Sequence, residues 1–167
     1  ASDLTNTLVT TGSSVIASKA LVDITDGTFE ATSATIAATV LGEIGAKTSG
    51  AVTVSNAVKI VGAASDLTNT LVTTGSSVIA SQALVDITDG TFASTSATIA
   101  ATALGDIGAK TSGTVTVSNA VKIVGAASDL TNTLVTSGSS VTASTALVDI
   151  SDGTFASTSA TIAATAL

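Results

Sequence analysis

Eight carboxylates, each followed by Ile or Leu, form the most regular polar feature of the chain: Asp3, Asp23, Glu43, Asp66, Asp86, Asp106, Asp129 and Asp149. A file of acids suggests cation binding. Calcium takes six to eight oxygens at about 2.3–2.6 Å. One carboxylate per structural unit, at a helix spacing of about 10 Å, does not supply them. A solvated helix face that keeps the protein soluble accounts for the row. Asp26-Gly27, Asp89-Gly90 and Asp152-Gly153 could be metal loops, but glycine marks them first as helix stops and turns. Ser18-Lys19 has the residue types of a Ser–Lys catalytic pair. Its counterparts, Ser81-Gln82 and Ser144-Thr145, lack the lysine, so the pair reads as surface.

Two other groups carry recognition chemistry. Phe29, Phe92 and Phe155 are the only aromatics, and each reads as core filler on the inward face of a strand. Thr28, Glu30, Thr32, Thr53, Ser55, Thr70 and Thr74 fall at alternating positions of strand-like segments. A flat hydroxyl array of that kind could bind ice or polysaccharide, although Glu30 and Lys59 interrupt it. No residue is assigned a catalytic, cofactor-binding or metal-ligating role, and no cofactor is expected.

Composition narrows the classes further. The chain has 167 residues, five Lys against twelve Asp and Glu, and no Cys, His, Met, Trp, Tyr, Pro or Arg. Disulfide scaffolds and thiolate metal sites are excluded. The commonest general base is missing, so an enzyme is not expected. An acidic chain without arginine is a poor ligand for nucleic acid phosphates. No apolar run approaches the ~20 residues of a membrane helix, so membrane insertion is not expected.

The elements that position these residues come from repetition. ASDLTNTLVT at 1–10 returns unchanged at 64–73 and 127–136, so 1–63, 64–126 and 127–167 are copies in a single repeat-array domain. The first two copies differ at six positions, including Lys19/Gln82, Glu30/Ala93 and Val40/Ala103. The eight acids subdivide the period into intervals of about 20–23 residues, the size of one coil in a stacked array. Apolar residues around each acid fall at helical spacing: Ile16, Ala20, Leu21, Ile24; Ile36, Val40, Leu41, Ile44; Ile60, Ala64, Leu67, Leu71. Turn residues follow at Asp26-Gly27, Ser49-Gly50 or Asn69, then period-two segments at 28–32, 51–55 and 70–74. Small polar pairs, Thr32-Ser33, Ser55-Asn56 and Thr74-Gly75, lead from these into a second extended stretch.

The expected fold is an α/β solenoid of about eight stacked coils, each of about 20–23 residues with a short helix and one or two strands. Two paired strands at about 4.7–4.9 Å match one helix at about 8–10 Å, so eight such coils would give a straight rod of roughly 75 Å. The alternative is an all-β solenoid. It would place like charges about 4.8 Å apart along a ladder, which is unfavourable without bound cations.

The segment VKIVGAASDL, at 58–67 and again at 121–130, resembles a recurring phrase of giant bacterial cell-surface proteins of the cyanobacterial, SwmB-like type. The resemblance covers the whole chain in style and implies an extracellular, elongated, structural role with no catalytic residues. The expected function is a non-catalytic spacer segment of a very large secreted surface protein. The near-identity of the copies also fits an engineered consensus repeat. The expected partners are neighbouring repeats. Because Leu41 and Ala64 share one phase when the short units are aligned, head-to-tail stacking of separate chains is expected too.

Overall fold

A computed structural model describes residues 1–11, 15–136 and 139–153. The molecule is α/β, with parallel sheets and helices alternating with strands along the chain. The strands are β1 (Val22–Ile24), β2 (Thr35–Ala37), β3 (Val52–Val54), β4 (Lys59–Gly62), β5 (Val78–Ile79), β6 (Leu84–Ile87), β7 (Thr98–Ala100), β8 (Val115–Val117), β9 (Lys122–Gly125), β10 (Val141–Thr142) and β11 (Leu147–Ile150). The helices are α1 (Ser2–Leu4), α2 (Phe29–Thr32), α3 (Ala38–Gly45), α4 (Ala64–Leu67), α5 (Phe92–Thr95), α6 (Ala101–Gly108) and α7 (Ala127–Leu130). α1, α4 and α7 continue directly into π-helical segments, Thr5–Val9, Thr68–Val72 and Thr131–Val135.

The repeat divides in two, into a long unit, 64–100, and a short one, 101–126. The long unit carries helix α4 with its π segment, then β5, β6, the single turn α5 and β7. The short unit carries α6, β8 and β9. The helices that open successive units pack side by side: the π segment after α1 on α3, α3 on α4, α4 on α6, α6 on α7. Among the described residues this row has five members, where eight coils were expected.

Strand pairing follows the same division. Each strand pairs in parallel with the strand two places later, giving the orders β1–β3–β5, β2–β4–β6–β8–β10 and β7–β9–β11. The rule fails between β5 and β7, because both belong to one long unit and pairing joins strands of successive units. The short unit 38–63 therefore sets β3 and β4 against β5 and β6, and the next short unit sets β8 and β9 against β6 and β7. Each long unit moves the rows sideways by one strand. Consecutive strands make corners, not hairpins, so the expected two paired strands per helix are not found among the described residues. One strand per row per helix sets about 4.7–4.9 Å against about 8–10 Å, and the straight rod no longer follows.

Local sequence explains most elements. Val-Thr-Val at 52–54 and 115–117 alternates inward and outward, with Val52 and Val115 fully buried. In α3 and α6, positions 38, 41 and 44, or 101, 104 and 107, form the buried stripe. Each fully buried Leu or Ile contributes about 1.5–3 kcal/mol relative to exposure. The middle π segment turns two consecutive residues inward, Thr70 and Leu71. Thr70 then donates its hydroxyl to the Ala38 carbonyl at 3.0 Å, as Thr133 does to Ala101.

Several segments depart from the expected elements: Ile36 lies in β2 and Ile60 in β4, outside the helices that follow them, Asn69 lies inside a π segment instead of a turn, and Asp26-Gly27 follows strand β1 instead of ending a helix. The helix expected over 16–24 is strand β1 at its end, and Ile16 and Leu21 are 88% and 82% exposed. The strand expected over 28–32 is the one-turn helix α2, and that over 70–74 is π-helical to Val72. Leu41 lies inside α3 while Ala64 opens α4, so the two do not share a phase. The polar pair Thr32-Ser33 does make a turn, with Ser33 left-handed at φ 55° and Ser96 at 54°. Glycine adopts that conformation without the Cβ penalty. Ser96→Gly should therefore stabilise the protein by about 0.5–1 kcal/mol in denaturant unfolding.

Candidate functional site

The eight acids do not share a face. Asp3, Glu43, Asp66, Asp106 and Asp129 lie on unit-opening helices, whereas Asp23, Asp86 and Asp149 point outward from β1, β6 and β11. No group of three or more His, Cys, Asp or Glu among the described residues is placed to hold a metal ion.

The Asp-Gly segments tie the strand before them to the helix that opens the same long unit. The Asp89 carboxylate accepts the Ala64 backbone N–H at 2.7 Å, and Asp152 accepts that of Ala127 at 2.7 Å. Asp26 contacts the Ala1 amino group in the same way. These contacts supply the helix caps that the local sequence lacks: α4 and α7 begin after Ala63 and Ala126, which have no capping side chain. The cap comes from 25 residues downstream. Asp89→Ala should cost about 1 kcal/mol in chemical denaturation, and Asp89→Asn, which retains an acceptor, less than half of that.

The same segment receives the next unit on its other side. The Ser118 hydroxyl donates to the Asp86 carboxylate, and the Asn119 amide donates to the Asp89 carbonyl at 2.7 Å. Ser55 and Asn56 repeat this pair on Asp23 and Asp26, the second at 2.8 Å. Thr48 and Thr111 donate to the Ala20 and Ala83 carbonyls. No buried side-chain nitrogen or oxygen among the described residues lacks a partner. Sequence reading missed these ties because their partners lie 25–32 residues apart, and copies that differ at only six positions single out no pair by its invariance.

The other candidates disperse. Ser18 is exposed, and its carbonyl accepts the Ser49 N–H at 3.0 Å and the Ser49 hydroxyl at 2.9 Å. Phe29 and Phe92 are half-buried on α2 and α5 instead of filling the core from a strand. The Lys59 and Lys122 ammonium groups lie 4.1 and 4.8 Å from their ring centroids. Phe155 lies outside the described residues. Of the seven expected face residues, only Thr53 points outward from a strand. Thr28, Glu30 and Thr32 belong to α2 or its N-cap, Ser55 to a corner, Thr70 to a buried helical position and Thr74 to a turn.

Two surface grooves of about 410 Å³ recur at the repeat spacing, one lined by Leu71, Thr73, Ser76, Ile79 and Lys110, the other by Leu8, Thr10, Ile16 and Lys47. Each brings in a single titratable group, so neither supplies an acid–base pair or a nucleophile with its base. No helix among the described residues is long and apolar enough to cross a membrane. No protein-family model, curated protein or solved structure matches the chain.

Proposed function

We propose that the chain is a non-catalytic structural spacer, a solenoid segment of a very large secreted protein of the cell surface. One observation carries this reading. The polar ties run between units, Ser118 on Asp86 and Asn119 on Asp89 inside one copy, and Thr70 on Ala38 and Thr133 on Ala101 from one copy to the one before it. Every copy thus presents to the next what the previous copy presented to it, and the architecture lengthens by duplication without new design. Repeat arrays with nearest-neighbour coupling gain reach in this way. The extracellular, cell-surface setting rests on the resemblance of VKIVGAASDL to surface-protein repeats, and an engineered consensus array would use the same physics.

Length is the property to test. Arrays with one, two and four inserted copies of the repeat should grow in maximum dimension by a constant increment in small-angle X-ray scattering. Two units per copy set that increment between two strand spacings and two helix spacings, about 10–20 Å. A dimension rising as the cube root of mass would mean globular collapse and would remove the spacer reading.

A further inference from the structure

The long unit 64–100 has three strands, β5, β6 and β7, and the short unit that follows it has two. β8 takes β6 and β9 takes β7, so no strand is left for β5. On its other side β5 pairs β3, with Val78 opposite Val52 and Ile79 opposite Thr53. The gap beside β5 is internal, because both flanking short units, 38–63 and 101–126, are described throughout.

Backbone bonding shows what the gap exposes. The Val52 N–H donates to the Ser77 carbonyl at 2.8 Å. Alternate residues of a parallel ladder then turn the amide groups of Ile79 toward β3, and those of Val78 and Ala80 toward the gap. Two of these outward groups are bonded locally. The Val78 N–H donates to the Ser76 hydroxyl at 3.3 Å, and the Ala80 carbonyl accepts the Ala83 N–H at 3.1 Å. The Val78 carbonyl and the Ala80 N–H have no partner among the described residues. Ala80 is 3% exposed, and folded chains seldom leave a backbone donor unpaired at so buried a position.

A carbonyl and the N–H two residues on are together the complement of one residue in a parallel strand. The groove of about 410 Å³ that holds Leu71, Ile79 and Lys110 lies on this edge, with Ile79 half exposed in it. The 73–76 turn and Lys110 wall it, which admits a single extended segment and not the edge of a folded sheet. Lys110 is the one charged group that lines it, and it forms no ion pair among the described residues. We propose that this groove binds an extended acidic peptide segment of another protein. One residue of the segment donates its N–H to Val78 and accepts the Ala80 N–H, its side chain covers Ile79, and a neighbouring carboxylate meets the Lys110 ammonium. Strand addition of this kind takes affinity from backbone hydrogen bonds and specificity from side chains. The proposal concerns the β5 edge alone and stands or falls separately from the spacer reading.

Peptide titration tests it. The ¹⁵N-labelled full chain is mixed with acetyl-Val-Glu-Val-Glu-Val-amide, with its Gln-for-Glu version, and with a version N-methylated at every residue. Amide shifts are expected at Val78–Ala80, largest at the Ala80 N–H. The Gln version should bind about two- to fivefold more weakly, and the N-methylated one about fivefold or more. Lys110→Gln, at an exposed position, should abolish the preference for Glu over Gln. Absence of shifts at Val78–Ala80 at about 1 mM peptide, or equal binding of the three peptides by the parent chain, would overturn the proposal. Shifts there that grow with the concentration of the chain alone would assign the edge to a second copy and also overturn it.

Discussion

Removing residues 64–126 should leave a chain that still folds cooperatively, whereas removing residues 66–85 should not. The first deletion joins Ala63 to Ala127, and everything after Ala127 repeats what followed Ala64. One long and one short unit leave together, so the sideways step between rows is preserved. The denaturant slope scales with the surface exposed on unfolding. It should fall by roughly two-fifths, in proportion to the share of the chain removed. The second deletion spans one acid-to-acid interval, Asp66 to Asp86, and would be harmless in a stack of coils that repeat from acid to acid. Here it removes the π segment, β5 and half of β6, leaving β4 and β8 without the strand between them. No sharp transition by circular dichroism is expected from that variant. A cooperative transition like that of the parent would contradict the division into long and short units.

Gly113→Ala should destabilise by about 3 kcal/mol, more than any surface side chain in the chain. A Cβ at Gly113 would sit 2.8 Å from the Ala83 carbonyl carbon and closer still to its oxygen. Both are backbone atoms, so no rotamer change relieves the overlap. The loop is held there by two contacts: the Gly113 N–H donates to Thr111 Oγ1 at 3.0 Å, and that hydroxyl donates to Ala83. Ser112→Ala beside it loses only a hydroxyl contact to Ser81 and should cost at most about 1 kcal/mol. Gly50 meets Ala20 in the same way, and the two sites share no partner. The double variant should therefore lose about 6 kcal/mol, by additivity. Equal midpoints for Gly113→Ala and Ser112→Ala in urea would show that the loop does not approach the corner so closely.

The repeat length, the α/β class and the strands at 51–55 were legible because each depends on residues next to one another. Gly42 shows what was not. Glycine inside a helix costs about 1 kcal/mol relative to alanine, yet a Cβ at this position would lie 3.0 Å from the Thr70 hydroxyl that ties α3 to the next unit. The segment Leu21–Ile24 fits both a helical and a period-two pattern, since Val22 and Ile24 are two apart and Leu21 and Ile24 three. Pairing with β3, far along the chain, decides for the strand. The division of the repeat into unequal units was hidden for the same reason. Partners such as Val22 and Val52, or Ile60 and Val85, are distant in sequence, and local periodicity does not count strands per unit. The dispersal of the acid row and of the threonine face follows from that division.

The middle sheet places Ala37, Val61, Asp86, Thr116 and Thr142 in one cross-strand line. Ala37 and Thr142, both exposed, are four strand steps apart. The chain has no cysteine, so Ala37→Cys and Thr142→Cys give two unique attachment points for spin labels. Double electron–electron resonance should return a distance centred at roughly 20 Å, four times the strand spacing. A distance of about 45–50 Å, five helix-and-two-strand coils, would contradict the parallel pairing of successive units.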